Sequence, residues 1–265
     1  MTTLAETIKI NYGICTTCGS CVNVCPNNII QRDADNSPVI HPTLECISCG
    51  HCIAVCPTGA MNIGTELNPA GFSDTKLLAT HLSSRRSIRV WKNNPVTKEE
   101  CEELIRIAAY APSGCNSRPV KWVVVNDPAK VRAFVSASAE ALRTVQKEHP
   151  MYGLATGLLR KLDAGNDILC RNAPALLIVV TQSKADTGMV DSIIALTYAD
   201  VYAPSIGIGT CWAGFVMILL GVFPQLQNVL GIPEGYKPQF ALLAGHPKYT
   251  FKSIPPREMP EIFWT

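Results

Sequence analysis

The chain is 265 residues long, enough for two domains or one large one, and its 23 basic and 21 acidic side chains leave a formal net charge of +2. That near-balance gives no reason to expect nucleic acid as a partner. With 47% hydrophobic and 17% charged residues, the composition suits a well-buried core or a large subunit interface.

Residues 1–14 lack a charged segment followed by an apolar one, so no secretory signal is read there. Eight of the twelve cysteines then follow in two copies of one pattern. The first is Cys15-x-x-Cys18-x-x-Cys21-x-x-x-Cys25-Pro26, and the second is Cys46-x-x-Cys49-x-x-Cys52-x-x-x-Cys56-Pro57. Three thiolates at this spacing wrap one face of a [4Fe–4S] cube from a tight loop. The proline after the fourth cysteine stops that loop from continuing regularly. In two-cluster proteins the fourth cysteine of each run ligates the other cluster. One cluster is therefore expected on Cys15, Cys18, Cys21 and Cys56, and the other on Cys46, Cys49, Cys52 and Cys25. A zinc site needs only four ligands, often as two pairs, and disulfides persist mainly in oxidising compartments. Neither fits this density of thiols, which implies a reducing, anaerobic cytoplasm.

The two runs are offset by 31 residues, and each exits through a similar segment, Pro26-Asn27-Asn28-Ile29-Ile30 and Pro57-Thr58-Gly59-Ala60-Met61. This is an internal duplication. The unit it forms is too small to bury a large core, so the clusters must help hold it together. Asn68-Pro69-Ala70-Gly71 reads as a linker, which divides the chain into residues 1–70 and 71–265.

Thr75 to Leu82 reads as a helix. Thr97 and Glu100 have capping-box spacing, and the helix behind them carries Leu104, Ile105, Ala108 and Ala109 on one face. Val120 to Val125 reads as a buried strand, Pro128 to about Glu148 as a helix, and Ala175 to Thr181 as a second buried strand. Asp186 to about Ile206 reads as a long helix and Phe240 to Ala244 as a third strand. Strands separated by helices indicate an α/β or α+β domain. Cys101, Cys115, Cys170 and Cys211 lack cluster spacing and are expected to be small buried hydrophobes. From Ala203 to Phe223 no side chain is charged, long enough for a membrane span. Pro204, Gly207, Gly209, Gly214 and Gly221 and the missing Lys or Arg anchors argue instead for two buried helical segments joined by a break.

Arg85-Arg86-Ser87-Ile88-Arg89 could grip a phosphate with guanidiniums and a hydroxyl. Downstream stand Ala111-Pro112-Ser113-Gly114-Cys115-Asn116-Ser117-Arg118-Pro119, Asn172-Ala173-Pro174, Gly207-Ile208-Gly209-Thr210-Cys211-Trp212-Ala213-Gly214, Ile232-Pro233 and Leu243-Ala244-Gly245-His246-Pro247. Together these resemble, in order, the motifs of the flavin-binding nitroreductase family, over roughly residues 76–265. The first part resembles bacterial two-cluster ferredoxins, so the whole resembles a ferredoxin–nitroreductase fusion of the kind found in anaerobes.

The resemblance implies an α+β fold with a three-layer α/β/α domain, and a homodimer with FMN at the subunit interface. It implies that Arg85, Arg86, Ser87 and Arg89 hold the FMN phosphate and ribityl chain. Pro112, Ser113, Gly114 and Asn116 would line the flavin from the partner subunit, and Ala213 and Gly214 would offer backbone N–H groups near flavin N5. Of the basic residues near the C-terminus, Arg257 is the first candidate for the phosphate, ahead of Lys252 and Lys248.

The function expected is an iron–sulfur flavoprotein oxidoreductase of the cytoplasm. It would pass electrons from two [4Fe–4S] clusters to FMN and on to a nitroaromatic, quinone or enone. The alternative is a non-catalytic electron carrier or redox sensor with FMN as a relay. The donor would be a ferredoxin-type protein or NAD(P)H; no G-x-G-x-x-G marks a separate dinucleotide domain. No side-chain acid or base is evident, and His81, His149 and His246 read as ordinary histidines. Leu142 to Leu169, with Tyr152, Gly153 and Gly157, could cover the flavin.

Overall fold

The computed structural model describes residues 8–63, 70–71, 74–182 and 187–265. Contacts divide the chain into two units, Met1–Phe72 with Gly114–Ser117, and Ser73–Ser113 with Arg118–Thr265. Of the linker, Asn68 and Pro69 lie outside the described residues, while Ala70 and Gly71 are exposed and without regular structure.

The first unit is built on two short antiparallel pairs. Strand β1 (Lys9–Ile10) pairs with β4 (Met61–Asn62), and β2 (Ile30–Arg32) with β3 (Pro38–Ile40). Two four-residue helices, α1 (Ser20–Asn23) and α2 (His51–Ala54), follow the cysteine loops. The duplication is visible in the backbone. Thr17 and Ser48 have φ of 52° and 53°, Gly19 and Gly50 have 78° and 75°, and Asn28 and Gly59 have 53° and 68°. Its core is small: Ile8, Ile29, Ile30, Ile53 and Met61 pack with Cys21 and Cys52.

The second unit has a four-stranded antiparallel sheet in the order β5-β6-β8-β7, from β5 (Lys121–Val125), β6 (Ala175–Gln182), β7 (Gly209–Trp212) and β8 (Tyr236–Gly245). Strand alternation sends Leu176, Ile178, Val180, Ala241 and Leu243 to one face, where they meet Phe134, Leu142, Leu158 and Val216. The other face, Ala175, Leu177, Val179, Leu242 and Ala244, meets Leu104, Ala108, Leu196 and Ala199. Helices α5 (Pro128–Arg143), α6 (Tyr152–Asp163), α8 (Gly214–Val222) and α9 (Leu226–Val229) thus share one side with one cluster, and α4 (Lys98–Ala108) and α7 (Gly188–Tyr202) the other. The domain is a three-layer α/β/α arrangement.

Several expectations are sharpened. Helix α3 (Thr75–Ser84) is capped by Asp74, whose carboxylate accepts from Leu77 N–H at 3.0 Å. The capping box of α4 is present: Thr97 N–H donates to Glu100 at 2.8 Å and Glu100 N–H to Thr97 Oγ1 at 3.2 Å. Ala109, placed on the buried face from sequence, is exposed. The Val120–Val125 run is only partly buried, because β5 is an edge strand. Helix α5 ends at Arg143, where the Thr144 hydroxyl and N–H both turn back to Ala141 O.

The largest correction concerns the uncharged stretch after Asp200. The start of the expected long helix at Asp186 lies outside the described residues. Its end is at Tyr202, and the chain then tightens into a 3₁₀ turn over Ala203–Ile206 that carries Pro204. Gly207 reverses direction at φ 78°, a conformation that favours glycine. The chain next forms a fourth strand, β7, where a break was expected, and only then α8. Among the described residues no helix is long and apolar enough to cross a membrane.

Candidate functional site

The eight cysteines of the two runs gather around two cavities. One is lined by Cys15, Cys18, Cys21 and Cys56. The other is lined by Cys25, Cys46, Cys49 and Cys52. Each fourth cysteine therefore sits in the cavity of the other run. Among the described residues no group of three or more His, Cys, Asp or Glu side chains is placed to hold a single metal ion.

The thiols are unequal. Burial pushes Cys52 up to about 11, with Cys46, Cys49 and Cys25 adding to the rise. Cys21 is raised by burial too, with smaller contributions from Cys56 and Cys15. At Cys56, burial is outweighed by hydrogen bonds from the backbone of Met61 and Thr58, and the thiol is lowered. Cys18 is lowered by the Ser20 side chain, 3.4 Å away. Hydrogen bonds that favour thiolate over thiol suit a cluster ligand.

In the second unit the Arg85–Arg89 segment lies along the free edge of β7. Ser87 bridges Thr210 in parallel register, and Ile88 N–H donates to Thr210 O at 2.8 Å. Arg85 and Arg86 line one groove, with Gly207, Thr210, Tyr249 and Phe251. Arg89 lines another of about 230 Å³, with Leu169, Arg171, Trp212, Gly214 and Phe215. The Ser87 carbonyl accepts from Arg89 at 3.4 Å. Arg86 is turned locally, donating to Ser83 O at 2.6 Å and Arg85 O at 2.7 Å.

Arg85 carries the most direct sign of an anion site. Its Nη1 is buried and makes no hydrogen bond among the described residues. Asp200 Oδ2 lies 3.6 Å away, close enough to attract the charge but too far to accept the proton well. Asp200, 4% exposed, instead accepts from the Thr210 hydroxyl and from Trp212 Nε1 at 3.1 Å. An orphaned buried guanidinium N–H beside a groove fits an incoming phosphate oxygen.

The expected pair of backbone donors is corrected. Ala213 N–H donates to Ala241 O at 3.0 Å and is spent on the sheet. Gly214 and Phe215 open α8 and line the Arg89 groove, and the first N–H groups of a helix have no intrahelical partner. Two arginines and a helix start around one groove suit an electron-rich ring.

The Ala111–Pro119 segment is split. Pro112 and Ser113 line a third groove with Arg118, Trp122 and Asp191, and Ser113 Oγ accepts from Arg118 N–H at 3.0 Å. Gly114 to Ser117 belong to the first unit, where Asn116 Nδ2 donates to Ile47 O at 2.8 Å. Cys115, expected to be buried, is exposed with φ 49°, and Asn116 and Arg118 share that left-handed backbone at 53° and 47°. The other three non-cluster cysteines are buried.

The C-terminal tail reaches the Arg85 groove through Tyr249, Thr250 and Phe251. Arg257 lies further along the exposed tail and lines none of these grooves. Lys248 stands over the Tyr249 ring at 5.9 Å. The histidines have structural partners: His81 meets Val201 O at 2.7 Å, His149 accepts from Met151 N–H at 3.1 Å, and His246 lies 3.5 Å from Glu100. From the Leu142–Leu169 segment, Leu169 lines the Arg89 groove. Asp200 and Arg171 were missed. Asp200 had one signal, as the last charge before an uncharged stretch that runs to Glu234.

The profile of the Nitroreductase family matches residues 82–246, and that of the 4Fe-4S dicluster domain matches residues 14–61. A candidate NADH dehydrogenase/NAD(P)H nitroreductase of Archaeoglobus fulgidus is 27% identical over 176 residues, 62% of this chain and 82% of that protein. Iodotyrosine deiodinase of Drosophila melanogaster is 28% identical over 196 residues, 70% of this chain and 66% of that one. The FMN-bound nitroreductase of Bacteroides fragilis shares the fold, with a TM-score of 0.58 at 20% identity, covering 71% of this chain and 98% of its own. The family match takes in more than half of the chain, and the protein belongs to the nitroreductase family as an FMN-dependent oxidoreductase whose flavin domain follows a [4Fe–4S] dicluster domain.

Proposed function

We propose that this chain is a cluster-fed flavin reductase. Electrons enter through two [4Fe–4S] clusters, held by Cys15, Cys18, Cys21 and Cys56 and by Cys46, Cys49, Cys52 and Cys25, and leave from FMN to a small nitroaromatic, quinone or enone. The observation that carries the reading is the gathering of all eight cysteines into two four-thiol cavities drawn across both runs. The flavin, when bound, accepts electrons singly and gives them up as a pair. The chain's own part is positioning. Arg85 offers the phosphate its Nη1, which has no hydrogen-bond acceptor among the described residues, with Arg86 lining the same groove and Ser87 next in the chain. Arg89, Arg171 and the N–H groups of Gly214 and Phe215 favour negative charge on the ring they face. Members of the family are typically FMN-binding dimers, and Pro112 and Ser113 would complete the flavin wall from the second subunit. The donor is a ferredoxin-type protein or NAD(P)H.

The test is steady-state turnover of protein purified without oxygen, with reduced ferredoxin, dithionite or NAD(P)H as donor and each acceptor class in turn. Reoxidation of the reduced protein by at least one acceptor, with FMN released on denaturation, is expected. Failure of every acceptor leaves an electron carrier and ends the enzyme reading. Arg85→Ala and Arg89→Ala should each weaken FMN retention about ten- to hundredfold, the worth of one charge-assisted contact. Unchanged flavin content in both would remove the phosphate site.

A further inference from the structure

The two cysteine loops are backbone copies of one another, but they differ in charge. Thr17 and Gly19 flank Cys18 in the first, and Ser48 and Gly50 flank Cys49 in the second, all four in left-handed conformation. The first loop has a cation laid against it. Arg32, at the end of β2, donates from Nη1 to Thr17 O at 3.1 Å and to Asn36 O at 3.0 Å. Its guanidinium also fills the space beside Gly19, where an added Cβ would meet Nη2 at 1.9 Å. The cation thus touches both neighbours of Cys18, and these hydrogen bonds go to neutral carbonyls that leave its charge in place. Thirty-one residues on, the equivalent position is Ile63, an apolar side chain packed on the unit's core. On the second loop, the Asn116 amide donates to Ile47 O at 2.8 Å.

We propose that Arg32 makes the two clusters electrically unequal, raising the reduction potential of the one on Cys15, Cys18, Cys21 and Cys56 above that of the one on Cys25, Cys46, Cys49 and Cys52. The inference rests on the cluster-bearing reading of the first unit. Each cube takes up one electron from the external reductant and no proton, so it gains one negative charge. A guanidinium beside the ligand loop favours that gain by Coulomb attraction. Arg32 is exposed, so the attraction weakens as salt rises. A single electron then rests on the first cluster, and the second is the stronger reductant.

The test is an anaerobic titration of the full chain with dithionite, followed by electron paramagnetic resonance, for the natural protein, Arg32→Gln and Arg32→Lys, at low and high salt. Two separate midpoints are expected. Arg32→Gln should lower the upper one and leave the lower nearly in place, Arg32→Lys should keep both, and salt should depress the upper one in the natural protein. Coincident midpoints in the natural protein, no shift in Arg32→Gln, or a larger shift of the lower midpoint would each overturn the proposal. If Arg32→Gln assembles incompletely, the salt series on the natural protein decides, and an upper midpoint indifferent to salt overturns it. Iron and sulfide counts on the same samples test the cluster reading separately, so its failure is told apart from this one.

Discussion

Arg85 and Asp200 face each other at 3.6 Å, Nη1 to Oδ2, across the edge of the sheet, and the carboxylate is 4% exposed. The carboxylate also takes the Thr210 hydroxyl and the Trp212 indole N–H. It therefore ties the end of α7 to two residues of β7 while holding the guanidinium in place without consuming its donor. Asp200→Leu leaves two polar groups, the Thr210 hydroxyl and the Trp212 indole N–H, without an acceptor and a partly buried cation without its counter-charge. A loss of about 3–5 kcal/mol is expected, read from the urea midpoint, together with weaker FMN retention. Asp200→Asn keeps an acceptor and should lose less. A midpoint unmoved in Asp200→Leu would mean that the network contributes nothing to stability.

How much of this was legible depends on how local each feature is. The capping box needs only Thr97 and Glu100 three residues apart, and it reads directly. The Arg85–Arg89 strip is contiguous, so it reads as well. Strand β7 does not: Gly209-Thr210-Cys211-Trp212 has little strand character of its own and is extended because it pairs with β8. Asp200, ten residues before Thr210, meets it only when the Gly207 reversal folds β7 back. Asn116 stands in a contiguous motif that reads directly, but its partner Ile47, 69 residues away, cannot be seen from that motif.

Gly209 allows the arginine strip to approach the sheet. A Cβ there would lie 2.4 Å from Ile88 Cγ1 and 2.9 Å from both Ile88 Cβ and Pro247 Cγ. Gly209→Ala must push Ile88 away, and with it Arg85 and Arg89. A cost of about 1–3 kcal/mol is expected, with FMN lost more readily on gel filtration. Gly221→Ala is the control, since a Cβ at that helical position meets nothing within 4 Å. It should be neutral or stabilise by up to about 1 kcal/mol.

The four cysteines outside the runs should divide by reactivity. Burial, with Glu100 and Glu102 nearby, pushes the Cys101 thiol up to about 11. Burial raises Cys170 further, with Asp167 adding to it. A raised thiol holds its proton, so at neutral pH the reactive thiolate at Cys101 is about a hundredfold scarcer than at an ordinary cysteine. Cys115 is exposed. Iodoacetamide at pH 7 on the intact protein should label Cys115 first, with Cys101 and Cys170 reacting only on unfolding. Peptide mapping reads the order, and equal rates at Cys115 and Cys101 would contradict it.

The crossing of the cysteine runs can be tested by pairing substitutions. Cys56 lines the cavity of Cys15, Cys18 and Cys21, and Cys25 lines that of Cys46, Cys49 and Cys52. If those thiolates are the ligands, Cys15→Ser and Cys56→Ser damage one cluster, and either removes about half of the iron and sulfide. Their combination should then cost no more than one alone, because both act on the same cluster. Cys15→Ser with Cys25→Ser, two changes within one run, should damage both clusters and remove nearly all of the iron. Uncrossed ligation gives the reverse order, with the Cys15/Cys25 pair no worse than a single change and the Cys15/Cys56 pair losing both. Iron and sulfide analysis of the two double variants, prepared without oxygen, separates the two arrangements.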